Sequence, residues 1–369
     1  MGNQLRASHD CHKSLTSSII PPPTAIPNTK TKRQSNIELL RIIAMFLVLV
    51  VHADFWSLGG PNAEEFLYTP ANAIFRTLVE SISIVCVNVF VMISGWFGIK
   101  PNLRGFISFI FQCAFFLIGI YAFLLCTGLA DLSIDGILGC LCLTSRNWFI
   151  KAYIALYILS PLLNAFLEKA SKRQVEVILI GFYTFQTIYG WYNGAARFIE
   201  FGYSCFSFIG LYVLARYLKN YGERIMKLAT ILWIPMIITN SLIFYLSTRT
   251  THYTPEIFNY VNPFVVIESV GLFAIFANWR ITSNKIINFI ARSCFAVFLL
   301  HTNPNVGEPI FKQIIQLTYI KYDGLLCICY ILAILISFYI LAIIIDQLRI
   351  KVGEYLLGRI PQIRFTDLA

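Results

Sequence analysis

Four ionisable side chains, Glu38, Arg41, His52 and Asp54, stand within one apolar stretch near the start of the chain, residues 37–58. Ionisable groups in apolar surroundings are costly to place, so they face a protein interior and mark functional paths. If the stretch is helical, the eleven steps from Arg41 to His52 turn through about 1100°, three full turns plus roughly 20°, and climb roughly 16 Å. The two side chains therefore share a face. Met45 and Val48 fall on the same stripe, and Glu38 lies one turn from Arg41, where it can pair with it. An imidazole, whose ordinary pKa is about 6.5, can take a proton from a hydroxyl at neutral pH. A guanidinium can hold a phosphate or a carboxylate. Taken singly, each residue has a plainer role: the arginine can snorkel to headgroups and the histidine can bond a neighbouring helix. Aligned on one stripe, they suit activation of an alcohol at one end and anchorage of an anionic carrier at the other.

The elements that position these groups are membrane helices. The 369-residue chain is 57% hydrophobic and 13% charged, with a mean hydropathy of +0.68; a soluble domain carries about 25% charged residues, so a soluble fold is excluded. The expected class is all-α, a polytopic integral membrane protein of about ten transmembrane helices. The apolar segments fall near 37–58, 73–97, 105–127, 147–167, 175–192, 200–218, 227–246, 261–278, 285–301 and 324–345. The fourth is the least regular, since Lys151, Pro161 and a preceding apolar stretch at 134–143 leave room for a re-entrant piece. With the N-terminus inside, 19 of the 29 Lys and Arg residues face the cytoplasm and five face the opposite side, so both termini are expected to be cytoplasmic. The net charge of +10 is then loop asymmetry, and no basic patch interleaved with aromatics points to nucleic acid.

Residues 1–34 are polar and proline-bearing and read as a disordered cytoplasmic tail. The membrane domain runs over 35–346, and 347–369, with Arg349, Lys351, Arg359 and Arg364 among Leu and Ile, reads as a basic amphipathic cytoplasmic tail on the inner-leaflet lipids. The ten cysteines show no Cys-x2-Cys pair and read as packing residues. His9, Cys11 and His12 are too isolated for a metal site, and none is expected.

Outside the first segment, Asn88 and Ser94 lie about 120° apart on segment two, with interhelical hydrogen bonding as the plainer role of Asn88. Trp148 and Tyr153 open segment four at the outer boundary, as an aromatic belt or a sugar-stacking platform. Lys151 just inside that span needs a partner, for which Asp54 or Glu268 are candidates. His301 ends segment nine at the outer face.

The stretch Ile37–Met45 followed by His52 resembles the start of the acyltransferase-3 family of integral-membrane acyltransferases. So do Val87–Phe97, Trp148–Tyr153 with Leu156–Pro161, and Phe298–His301, in the expected order over residues 37–345. The resemblance implies transfer of an acyl group, usually acetyl, from cytoplasmic acyl-CoA as co-substrate to a hydroxyl of a surface polysaccharide or lipid-linked sugar, in a bacterial inner membrane, with no bound cofactor. His52 matches the family's essential histidine and Arg41 its basic partner. A paired-arginine motif of larger members is represented only by Lys100 and Arg104, expected at the donor. Asn88, Ser94, Trp148, Lys151, Tyr153 and His301 are expected on the acceptor side, supported by Glu38, Asp54 and Glu268. The competing reading is a secondary transporter or exporter of a polar solute or lipid-linked glycan, in which the same charges relay protons; the repeat symmetry usual there is missing.

Overall fold

The computed structural model describes residues 33–144, 147–194, 196–250, 256–358 and 360, and these form an all-helical bundle. The His9, Cys11 and His12 cluster, Arg146, Arg359 and Arg364 lie outside the described residues. Each of the ten apolar segments is helical, and among the described residues six helices are long and apolar enough to cross a membrane. These are Ser35–Trp56, Pro70–Phe97, Leu103–Cys126, Trp148–Lys169, Glu223–Ser247 and Gly324–Leu357. The other four segments are shorter or interrupted: Lys172–Phe185 continues as a π-helix over Gln186–Tyr192, Cys205–Tyr221 and Pro263–Asn278 are short, and residues 285–301 divide at Ser293.

Helix α1, Ser35–Val51, is α-helical up to the residue before His52 and then widens into a π-helix over His52–Trp56. After the short α2 (Ala63–Tyr68) comes α3, Pro70–Ser83, and then α4, Cys86–Phe97, set off by a break at Ile84 and Val85. Arg76 of α3 ties the turn between α1 and α3 shut. It donates through Nε to Asp54 at 2.7 Å and through Nη1 to Glu65 at 3.3 Å, and it also bonds the carbonyl of Gly59. Arg76 is 5% exposed, so a buried charge here is tolerated only because carboxylates surround it. Asp54 is thereby committed to Arg76 and does not serve Lys151.

Helices α5 (Leu103–Cys126), α6 (Ile134–Cys140), α7 (Trp148–Lys169), α8 (Lys172–Phe185), α9 (Cys205–Tyr221), α10 (Glu223–Ser247) and α11 (Pro263–Asn278) come next. The apolar stretch at 134–143 forms only the seven-residue α6, and α7 continues through Pro161. The remainder comprises α12 (Lys285–Arg292), α13 (Cys294–His301), α14 (Gln313–Lys321) and α15 (Gly324–Leu357), the last running unbroken past residue 346.

Without a hydrophobic drive between helices in lipid, close backbone packing at small residues holds such bundles together. Gly95 of α4 shows the effect: a Cβ there would stand 2.6 Å from the Tyr212 carbonyl oxygen and 2.9 Å from the Ala215 Cβ of α9. Gly95→Leu is expected to force α4 off α9 and destabilise the protein by about 1–3 kcal/mol or more. Thermal unfolding in detergent, followed by size-exclusion chromatography, checks this; an unshifted melting curve contradicts the packing argument.

Candidate active site

The stripe that the helical period places on α1 opens onto a cavity. Met45, Val48 and His52 line it, together with Trp56 from the π-helix, Phe295 and Phe298 from α13, and Trp148, Tyr203 and Tyr260; its volume is about 300 Å³. The π-helix begins at His52 itself, a feature frequent at functional sites because it redirects the residues beyond it. It brings the Trp56 ring to 5.4 Å from the His52 ring, and Lys312 stands 5.4 Å above the Trp56 ring.

His52 meets His301, with its Nδ1 2.8 Å from His301 Nε2. The far nitrogen of His301, Nδ1, lies 2.6 Å from the carbonyl oxygen of Val297. A carbonyl only accepts, so His301 Nδ1 carries a proton and donates it to Val297. His301 is fully buried with no carboxylate of the described residues bonded to it, and an uncompensated cation is excluded from such a place. Its Nε2 is therefore an unprotonated acceptor, and His52 Nδ1–H donates to it. The remaining nitrogen of His52, Nε2, then carries a free lone pair. This is the base–orienter arrangement, with a second imidazole and a main-chain carbonyl in the orienting role.

Arg41 lies one turn beyond Met45, the last α1 residue on the cavity, and is 28% exposed. Its Nη1 donates to Glu38 at 2.8 Å, and Arg33 approaches the same carboxylate at 3.8 Å. Lys100 is exposed at the α4–α5 corner and Arg104 half-buried in the first turn of α5. Neither lines the cavity. Two cations that sequence reasoning missed stand at the same corner. Arg216 rests against Gly98, whose φ of +76° suits glycine. Lys219 donates to the Trp96 carbonyl at 2.7 Å.

The remaining residues separate into wall and scaffold. Trp148 lines the cavity. Asn88 donates to the carbonyl of Tyr260 at 3.0 Å, so it holds a cavity residue without itself lining the space. Ser94 pairs with Tyr153, hydroxyl to hydroxyl, at 3.3 Å, and Tyr153 stacks on Phe149. Glu268, wholly buried, accepts from Asn240 at 2.6 Å, and Asn240 accepts from Asn262 at 3.0 Å. That chain of bonds fixes the segment carrying Tyr260. Lys151, expected to meet Asp54 or Glu268, is exposed and donates to the Thr144 carbonyl at 3.2 Å; its position at the start of α7 lets it reach a loop, so no buried carboxylate is needed.

Sequence reasoning also missed Trp56, Tyr203, Tyr260, Phe295 and Phe298. Phe295 and Phe298 sit six and three residues before His301, the one local signal that marks them.

No curated protein and no solved structure is significantly similar to the chain. The acyltransferase-3 family model, described as an acyltransferase domain, matches residues 34–346. That stretch takes in α1 with its Arg41 and His52, the cavity-lining aromatics and His301, and the chain belongs to the acyltransferase-3 family of membrane acyltransferases.

Proposed function

We propose that the protein is a membrane O-acyltransferase that moves an acetyl group from cytoplasmic acyl-CoA to a hydroxyl of a surface polysaccharide or lipid-linked sugar. In this reading ten spans cross a bacterial inner membrane with both termini in the cytoplasm, which puts Arg41 inward and His52 outward. The observation that carries the proposal is the 2.8 Å contact of His52 Nδ1 with His301 Nε2 on the wall of an aromatic cavity, which leaves His52 Nε2 as the base.

The chemistry starts from that nitrogen. The thioester arm enters along Met45 and Val48, while the CoA phosphates are held by Arg41, Lys100 and Arg104, joined by Arg216 and Lys219. His52 Nε2 takes the acceptor hydroxyl's proton as its oxygen attacks the thioester carbonyl. The carbon–sulfur bond breaks, the ester forms, and His52 returns the proton to the departing thiolate. His301 stabilises the transient imidazolium through Nε2. Trp148, Tyr203 and Tyr260 supply flat apolar faces against which a sugar ring packs.

Cells overproducing the protein, given acetyl-CoA labelled in the acetyl group in an open-membrane preparation, are expected to incorporate label into membrane or surface glycan. A transporter gives no incorporation above cells lacking the gene, and that result overturns the proposal.

A further inference from the structure

The aromatic wall of the cavity has a second side. Trp148 and Tyr203 also line a neighbouring groove of about 510 Å³, completed by Gly190, Gly194, Arg197 and Glu200 among others. The wall is rigidly built: the Tyr203 ring meets Trp148 at 4.5 Å and 78°, and Tyr260 at 5.2 Å and 66°. Three consecutive residues with left-handed backbone, Glu200 (φ +46°), Phe201 (φ +53°) and Gly202 (φ +98°), turn the chain into this position. Only glycine fits at 202, where a Cβ would stand 2.5 Å from the Tyr260 Cβ. For a glutamate and a phenylalanine that conformation is strained, and such strain concentrates where a site demands it.

The strain has a visible product. It sets Glu200 on the groove and the Tyr203 ring on the wall, and Arg197 of the same turn lines the groove with Trp148. Arg197 and Glu200 are both exposed and form no ion pair with each other or with another described residue. An unpaired donor fork and an unpaired acceptor beside two aromatic faces match the alternating hydroxyls and flat apolar patches of a pyranose. An acyl chain would find the charges costly, and a nucleotide would find one cation facing one anion.

We propose that this groove is a second saccharide subsite, so that the acceptor is an oligosaccharide chain bent around the Trp148–Tyr203 wall. One ring sits in the cavity beside His52 and the adjoining ring sits against Arg197 and Glu200. The inference rests on the acyl-transfer reading above and adds that the enzyme measures acceptor length.

The test uses the full chain in lipid nanodiscs, labelled acetyl-CoA, and fragments of the producing cells' own surface glycan, stripped of esters and sized into mono-, di-, tri- and tetrasaccharides. The expected kcat/KM rises about tenfold or more from mono- to disaccharide, the effect of one well-made set of polar contacts. The double variant Arg197→Gln, Glu200→Gln is expected to lose that rise, and both positions are exposed enough for the fold to tolerate the change. Equal efficiency on mono- and disaccharide by the unaltered protein overturns the subsite, as does a rise that survives in the double variant. Transfer to none of the fragments overturns the acyl-transfer reading, and the subsite with it.

Discussion

Replacing His52 with alanine is expected to cut acetyl transfer by about 10²–10⁴-fold, the usual worth of a positioned general base. Protein level and membrane insertion are expected to stay as they are. The imidazole borders a cavity of about 300 Å³, and the Nε2 of His301 left without its donor is a polar site that water can fill. The packing of α1 is carried by other residues, including Leu40, Ala44 and Leu49, all fully buried. Label incorporation into glycan, normalised to protein in the membrane, measures the effect. Unchanged incorporation refutes the assignment of His52 as base.

The second large effect is expected at His301. Without its Nε2 acceptor, His52 is free to carry its proton on either nitrogen and to turn its ring, and the base loses its fixed tautomer. His301→Phe is expected to lower kcat by about 10²-fold with little change in KM for acetyl-CoA. His301→Gln, whose side-chain oxygen can accept from His52 Nδ1–H, is expected to recover much of the loss. If His301 only filled space, the isosteric aromatic would be the better tolerated of the two. A smaller loss in His301→Phe than in His301→Gln would point to a packing role.

The stripe Met45–Val48–His52 was legible because an α-helix repeats every 3.6 residues and α1 stays α-helical up to Val51. The geometry beyond Val51 was not. The π-helix at His52–Trp56 has no compositional mark, and it is what sets Trp56 against the imidazole. The ten helical segments stand out through apolar runs, but the breaks at Ile84–Val85 and at Ser293 are tertiary, since membrane helices re-satisfy freed backbone groups through neighbours the sequence does not name. The meeting of His52 with His301, 249 positions apart, depends on how α1 packs on α13. Most of the aromatic wall beyond Trp148 was invisible for another reason: among 31 Phe and 19 Tyr, Phe295 or Tyr203 looks like any lipid-facing ring. Lys151 was misjudged because a lysine counted as inside a span lies at the first turn of α7, close enough to Thr144 to leave the apolar layer.

The two imidazoles share a pair of N–H protons between them and a main-chain oxygen, and neither holds a charge at rest. If His52 passes the acceptor's hydrogen to the sulfur that departs, one cycle sends an acetyl group outward and returns a hydrogen atom inward on the thiol. In that proposed cycle no net charge crosses the bilayer. Moving one elementary charge would draw about 2.3 kcal/mol per 100 mV from the membrane voltage. On the proposed reading the acetyl and the hydrogen exchange without net charge, so transfer is expected to draw none of it and to keep its pace in a de-energised cell as long as acetyl-CoA remains.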